Sequence, residues 1–170
     1  LVSGYWHNDN RYKCAHASAP ATYDVWNDED LTKRFRAMFL YLWREFKGES
    51  SPIDVNKYRS MFRLSGYVAT QFKPLVAKTV YDYYRAKRVI DISCGWGDRL
   101  AGFYCSRADE FLGCDPNGAS YELYKEQCKT YEEVLSTPLF PVDVKFEDHG
   151  DWFEITGNKR VRIYNRPAED

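Results

Sequence analysis

The sequence lacks the patterns that mark several large classes of protein. No apolar run approaches the roughly 20 residues of a membrane-spanning helix, and the first residues carry no basic-then-apolar signal pattern. The five cysteines form no C-x-x-C pair and the three histidines show no H-x-x-x-H spacing, which argues against a disulfide framework and against a zinc site. We therefore expect a cytoplasmic protein with reduced thiols, no metal and no membrane contact.

The composition of the 170 residues is that of a globular chain, with 44% hydrophobic and 29% charged residues. The net charge of −1 hides an asymmetry. Residues 1–90 hold 15 Lys and Arg against 9 Asp and Glu, whereas residues 91–170 hold 9 against 16. A basic first half attracts a polyanion and an acidic second half repels one, so any nucleic-acid contact is expected in the first half. An unevenly charged, solvated surface is the alternative.

The first part of the chain is predicted to be mostly helical. Residues 1–26 show no sustained period and are expected to form an irregular arm with short helical turns. Apolar residues then recur at steps of three and four over residues 31–46, which indicates an amphipathic helix, and a second helix is predicted over residues 53–64. The second helix carries Lys57, Arg59 and Arg63, a candidate DNA contact, although a packed helix with exposed arginines explains this pattern equally well. Pro74 is predicted to begin a third helix.

From residue 88 onward the pattern changes to short strands. Val89–Ile92 is a β-branched run, a glycine-containing loop and a helix follow, and Glu110–Asp115 is predicted to be the next strand. This order of strand, loop, helix and strand implies a right-handed parallel βαβ unit, and a further helix is predicted over residues 119–136. Residues 142–146, 152–156 and 161–164 are predicted to form a hairpin that leads into another strand.

The loop after the first strand has the features of a ligand site. The strand ends in Asp91, and Gly95 and Gly97 then bring backbone N–H groups and bare Cα atoms close to a ligand. Asp115 ends the next strand, where a carboxylate can bind ribose hydroxyls, and Leu100 replaces the glycine that a dinucleotide site needs. These features favour an adenosyl ligand without phosphates, such as S-adenosylmethionine. A loop that merely turns tightly is the alternative, but two strand-end acids are costly to bury unless they are paired.

These residues resemble a known family. The string V-I-D-I-S-C-G-W-G-D-R-L at residues 89–100, followed by G-C-D-P-N at residues 113–117, resembles the first two cofactor motifs of S-adenosylmethionine-dependent methyltransferases. The G-W-G-D-R-L variant is similar to phage and bacterial DNA amino-methyltransferases, which act on adenine N6 or cytosine N4. Upstream, Q-F-K-P at residues 71–74 with Ala77 resembles the helix before the first motif, and N-R-P-A-E-D at residues 165–170 resembles the third motif.

The resemblance implies an α/β, Rossmann-like methyltransferase domain over residues 70–170, preceded by a helical region over residues 1–69. It implies that S-adenosylmethionine is the cofactor and assigns its site by ligand part. Asp91, Ser93, Gly95 and Gly97 are assigned to the methionine part and Asp115 to the ribose. Pro116 or Asn117 is expected to flank the adenine, and Ala168 or Glu169 to lie at its edge. Cys94 is also assigned to the cofactor site. Trp96 either covers the cofactor or packs inward.

One expected motif is missing. The family holds the target amine with an Asp, Asn or Ser followed by two prolines and an aromatic residue, and no such tetrapeptide occurs in this chain. The chain begins at Leu1, ends at Asp170 and would supply only the first three strands of the family's sheet. We therefore expect a fragment of a longer gene product that is inactive alone. The first strand would then lie at a sheet edge, where a second copy is expected to pair unless the helical region covers it.

Three functional hypotheses follow from the sequence. The first is the cofactor-binding part of a DNA amino-methyltransferase. The second is a methyltransferase for a small molecule or RNA; the basic first half favours a nucleic acid over a small molecule, and the G-W-G-D-R-L string favours DNA. The third is a non-catalytic binding or interaction module that keeps the fold without turnover.

Overall fold

The protein is a mixed α/β chain with a five-stranded sheet. The computed structural model describes residues 4–30, 32–36, 40, 66–67, 69–136, 139 and 141–170. Two compact units are present: residues 1–8 with 71–170 form the larger one, and residues 9–70 form the smaller one. Within the described part of the chain, no helix combines the length and the apolar content needed to cross a bilayer.

The described helices and strands follow one another in a simple order. The helices are α1 (Gly4–Tyr12), α2 (Thr22–Asn27), α3 (Pro74–Tyr83), α4 (Asp98–Tyr104) and α5 (Gly118–Leu135). The strands are β1 (Arg88–Asp91), β2 (Glu110–Cys114), β3 (Lys145–Asp148), β4 (Trp152–Thr156) and β5 (Arg160–Tyr164). Helix α3 begins at Pro74, as the sequence predicts, because proline is well suited to the first turn of a helix.

In the smaller unit, α2 is tied to the chain near residue 67. The hydroxyl of Thr22 donates a hydrogen bond to the carbonyl of Tyr67 over 2.9 Å, and Ala21 forms an isolated parallel bridge with Tyr67. Of the helix predicted over residues 31–46, residues 32–36 are helical and most of the remainder lies outside the described residues. The second predicted helix, with Lys57, Arg59 and Arg63, also lies outside them.

The N-terminal segment, predicted to be an irregular arm with short helical turns, contains helix α1. Two side chains of α1 contact α5 in the larger unit. The ring of Trp6 lies edge-to-face on Tyr131 with centroids 5.4 Å apart, and His7 is fully buried. These contacts join residues that are more than a hundred positions apart, so the local sequence pattern carries no sign of them.

The sheet has the strand order β1-β2-β5-β4-β3. Strands β1, β2 and β5 are parallel, with Val89 opposite Phe111 and Phe111 opposite Val161. Strands β3 and β4 form an antiparallel hairpin, and β4 runs antiparallel to β5. The predicted parallel unit of β1, α4 and β2 is therefore present, and the predicted hairpin leads into β5.

One face of the sheet forms the hydrophobic core with α4 and α5. The buried residues of this core are Val89, Phe111, Phe153, Ile155, Val161 and Ile163 from the strands and Leu100, Phe103, Tyr104, Tyr121, Tyr124 and Cys128 from the helices. The ring of Phe103 lies 5.3 Å from that of Phe111, and Tyr121 lies 5.6 Å from Phe153. Leu100, which stands where a dinucleotide fold would need glycine, is fully buried in this core.

The two edges of the sheet differ in their side chains. At the β1 edge, Ile90 is 73% exposed and Ile92, just past the strand, is 69% exposed. At the opposite edge, β3 presents the charged residues Lys145, Glu147 and Asp148 to solvent. Charged residues on an edge strand oppose pairing with another chain, and exposed isoleucines do not. The β1 edge is therefore the less protected of the two.

Candidate functional site

Two carboxylates lie side by side at the carboxyl ends of β1 and β2. The parallel register places Asp91 opposite Gly113, so Asp115 follows two residues further along the neighbouring strand. Both side chains are buried, at 8% exposure each. A buried carboxylate is stable only when it is paired or hydrogen-bonded, and the structure provides partners for both.

Asp115 accepts hydrogen bonds from backbone amides in the loop after β1 and in the turn after β2. Its Oδ2 accepts from the amide of Gly95 over 2.7 Å, and its Oδ1 accepts from the amide of Asn117 over 3.0 Å. The side chain of Asn117 in turn caps α5 by accepting from the amides of Ala119 and Ser120. Asp115 therefore joins the glycine loop to the start of α5.

Asp91 is paired with Arg99 from the first turn of α4. The Arg99 Nε donates to Asp91 Oδ2 over 2.7 Å and its Nη2 donates to Oδ1 over 3.1 Å, which is a two-pronged contact. The amide of Ser93 also donates to Asp91 Oδ1, and Arg99 Nη2 donates to the carbonyl of Ser93. Burial and the charge of Asp91 raise the pKa of nearby Tyr81 to about 12, so this phenol stays neutral.

Four backbone N–H groups of the loop donate to acceptors inside the protein. The amide of Cys94 donates to the carbonyl of Cys114 over 3.0 Å, and the amide of Gly97 donates to the carbonyl of Cys94 over 3.3 Å. The amides of Ser93 and Gly95 donate to the two carboxylates. A phosphate-binding loop needs such groups free to point at its ligand, so this arrangement does not suit a phosphate.

Two side chains of α5 hold the loop carbonyls. The hydroxyl of Tyr124 donates to the carbonyl of Gly95, and Gln127 Nε2 donates to the carbonyl of Gly97 over 3.0 Å. Gln127 Oε1 also lies 3.3 Å from the Nε2 of His7 on α1. Gly95 and Gly97 have φ angles of +61° and +68°, which non-glycine residues rarely adopt. The loop is therefore fixed by α1, α5 and its own backbone conformation.

The two thiols near the site are not prepared for nucleophilic chemistry. Burial, together with the charge of Asp91, raises the pKa of both Cys94 and Cys114. The thiolate is the reactive form of cysteine, and a raised pKa suppresses it. All five cysteines of the chain are free thiols in the structure.

The predicted site residues are brought together to different degrees. Hydrogen bonds connect them in two groups: Asp91, Ser93, Cys94 and Gly97 form the first, and Gly95, Asp115 and Asn117 form the second. Trp96 is half-buried, and Pro116 is exposed at the end of β2. Ala168 and Glu169 are exposed, and no hydrogen bond within the described residues joins them to the loop.

Several residues of the site were not singled out from the sequence. Arg99 stands inside the quoted motif, and its opposite charge to Asp91 was the available signal. Tyr124 and Gln127 lie three positions apart, the spacing of neighbours on one helix face, but nothing local links them to the glycines. Asn165 follows β5, and its buried Oδ1 has no hydrogen-bond partner among the described residues.

Compared with protein-family models, with curated proteins and with solved structures, the chain gives no significant match. Its function must therefore be inferred from its own residues and their geometry.

Acid is expected to destabilise the larger unit through His7. This side chain is fully buried, and burial lowers its pKa from the usual 6.5, an effect that the Gln127 hydrogen bond and the charge of Asp115 partly oppose. The unfolded chain then binds a proton more readily than the folded chain. The free energy of unfolding should therefore decrease as the pH falls below 6.5 towards the folded-state pKa.

Urea unfolding at a series of pH values measures this dependence. In the variant His7→Gln, the free energy of unfolding should change less with pH below about 6.5. The control variant His16→Gln, which changes an exposed histidine, should keep the wild-type dependence. A wild-type slope that survives in His7→Gln would show that other groups cause it.

Proposed function

We propose that the chain is the S-adenosylmethionine-binding part of a Rossmann-like methyltransferase that acts on amino groups of DNA. The observation that carries this proposal is the position of Asp115. It lies at the carboxyl end of a parallel strand, beside a glycine loop, where open α/β sheets bind the ribose of an adenosyl ligand.

Asp115 keeps the capacity to bind ribose after its protein contacts are counted. An ionised carboxylate offers about four acceptor positions. The amides of Gly95 and Asn117 use one position on each oxygen. Two positions therefore remain, which matches the two hydroxyl donors of a ribose.

The adenine would lie between the ends of β2 and β5. Pro116 and Asn117 are exposed at the end of β2 and are available to flank the ring. Asn165 at the end of β5 has a buried carbonyl oxygen that lacks a donor among the described residues. An exocyclic amine of adenine is a donor of the required kind, and Ala168 and Glu169 follow at the proposed edge of the ring.

The contacts of the loop favour this ligand over a dinucleotide. Four of its amides donate to Asp91, Asp115 and backbone carbonyls, so these four are not available to a pyrophosphate. The charge of Asp115, which has no cationic partner among the described residues, would also repel phosphate groups. A ligand with an adenosine part and no phosphate avoids both costs.

The DNA part of the proposal comes from charge and from the motif string. The excess of 15 basic over 9 acidic residues in residues 1–90 favours a polyanion, and Lys57, Arg59 and Arg63 are the proposed contacts. When bound, S-adenosylmethionine would supply an electrophilic methyl group on a sulfonium. Because the sequence has no tetrapeptide to position a target amine, we propose that this chain binds the cofactor without transferring the methyl group on its own.

Calorimetric titration with S-adenosylmethionine tests the proposal. Wild type should bind, and Asp115→Ala should bind at least about tenfold more weakly, because two hydrogen bonds to a charged acceptor are lost. Asp109→Ala is the matched control. Asp109 is an exposed carboxylate that directly precedes β2, at the end of the strand away from Asp115, and it pairs with Lys87.

Each outcome has a definite meaning. A wild-type chain that shows no binding would refute the proposed cofactor, and equal binding by Asp115→Ala would refute the proposed site. Circular dichroism of each variant shows whether lost binding reflects lost structure. Transfer of a labelled methyl group to duplex DNA by this chain alone would contradict the proposed lack of transfer.

A further inference from the structure

The face of the sheet opposite the hydrophobic core is open over β1, β2 and β5. Along β2, Phe111 is buried in the core, whereas the next residue, Leu112, points to the other face and is 40% exposed. Ile90 lies opposite Leu112 in the parallel register and is also exposed. Parallel strands are normally covered by helices on both faces. This face therefore has aliphatic residues and room for a further layer.

A groove of about 560 Å³ lies on this open face. The register places Ile90, Leu112 and Arg162 in one row across the three strands. The preceding row has an arginine at each end, Arg88 on β1 and Arg160 on β5. The lining residues that alternate with the core positions are Arg88, Ile90, Glu110, Leu112, Arg160 and Arg162. Two neighbouring aliphatic side chains are therefore bordered by arginines.

The charges around the groove do not balance. Arg160 Nε donates to Glu154 Oε1 over 2.9 Å, and Arg162 Nε donates to Glu154 Oε2 over 2.7 Å. Arg160 Nη1 also lies 3.6 Å from Glu110 Oε1. Arg88 is exposed and forms no ion pair with any other described residue. Three arginines thus face two glutamates, and the arginine at the β1 side is left without an anion.

We propose that this groove binds an acidic amphipathic helix of a partner protein. Three strands are roughly 10 Å across, which is the width of one helix, and β2 is about as long as three helical turns. The apolar stripe of the helix would cover Ile90 and Leu112. Acidic side chains beside that stripe would pair with Arg88 and Arg160. The inference does not depend on the proposed cofactor.

The residues of the groove favour a helix over a nucleic acid. Proteins bind single-stranded nucleic acids by stacking the bases on aromatic rings, whereas the residues between the arginines here are aliphatic. The rings of Trp152 and Tyr164, on β4 and β5, stack on each other with centroids 5.9 Å apart. Glu110 and Glu154 would also repel phosphate groups.

Fluorescence anisotropy with two labelled peptides tests this inference. The first peptide is a crosslinked helix of about 14 residues, with leucines at steps of three and four and glutamates beside them. The second has lysine in place of each glutamate. Wild type should bind the acidic peptide with a dissociation constant of about 100 µM or lower, because one helix buries less area than a standard interface. It should bind the lysine peptide at least about tenfold more weakly.

Two variants separate the charge contacts from the apolar contact. In Arg88→Glu the preference for the acidic peptide should fall at least about tenfold, whereas Arg107→Glu, which changes an exposed arginine just after α4, should keep it. Leu112→Gln should weaken the binding of the acidic peptide, and Val134→Gln, which changes an exposed residue of α5, should not. Circular dichroism shows whether each variant is folded. Because Arg88 is exposed, its replacement tests the inference even where Leu112→Gln does not fold.

Four results would overturn the inference. The first is no binding of the acidic peptide by wild type at about 1 mM. The second is equal binding of a peptide with the same residues in scrambled order, which would show attraction by net charge alone. The third is an unchanged preference in Arg88→Glu. The fourth is tighter binding of a single-stranded oligonucleotide that Arg88→Glu abolishes, which would assign the groove to a nucleic acid.

Discussion

Replacing Gly97 with alanine is expected to lower the free energy of unfolding by about 3 kcal/mol, of which about 1 kcal/mol is backbone strain. The φ angle of Gly97 is +68°, and a Cβ there would lie 2.2 Å from Gln127 Oε1 and 3.0 Å from His7 Nε2. Gln127 cannot move aside freely, because it is fully buried and hydrogen-bonded to the carbonyl of Gly97 and to Tyr131. Displacing it would leave buried polar groups without partners.

Gly150 provides a matched control for this substitution. Its φ is +89°, but nothing lies within 4 Å of the position of an added Cβ. Gly150→Ala should therefore show the backbone cost alone, about 1 kcal/mol. Urea unfolding followed by circular dichroism measures both values. In a Gln127→Ala background, the loss of unfolding free energy caused by Gly97→Ala should approach the loss caused by Gly150→Ala. If the two substitutions cause equal losses in the wild-type background, the loop tolerates a methyl group at Gly97.

Replacing Ile90 with lysine is expected to abolish the self-association that we propose for the β1 edge. In an antiparallel pair of strands, opposite residues share a face of the sheet. A two-fold axis at Ile90 satisfies this condition, since it places Ile90 against the partner's Ile90 and Val89 against the partner's Asp91. It also separates the basic residues Lys87 and Arg88 of the two copies. Two lysines at the centre of this interface would repel each other.

Sedimentation velocity over a wide concentration range measures the association. A four-residue strand buries little area, so the wild-type dimer should be weak, with a dissociation constant of about micromolar or higher. Val134→Lys is a suitable control, because Val134 on α5 is 73% exposed, as is Ile90. A wild-type chain that remains monomeric at every concentration would contradict the proposed pairing, as would a Val134→Lys variant that loses the dimer equally.

The parts of the molecule that could be predicted from the sequence are those with local signals. The β-branched run at Val89, the two loop glycines and Asp115 follow one another within one βαβ unit, and strand, turn and helix propensities all act over a few residues. The positions of β4, α3 and α5 were predictable for the same reason.

The remainder depends on contacts that a local pattern does not contain. The segment of α1 has no continuous apolar stripe, and its burial depends on Gln127 and Tyr131 far along the chain. The strand order, with β5 between β2 and β4, depends on how the hairpin folds back onto the sheet. The pairing of Asp91 with Arg99 lies between these cases, because the residues are close in sequence but their contact requires the loop conformation.

The way α5 holds the glycine loop has a consequence for the rates at which the proposed ligand would bind and dissociate. Tyr124 and Gln127 are one helical turn apart and bind two loop carbonyls that are two residues apart, so loop and helix form one rigid body. A ligand that arrives at this loop need not wait for it to become ordered. Its association rate would then follow diffusion and charge, and the residence time would depend on how quickly the ligand's own hydrogen bonds break.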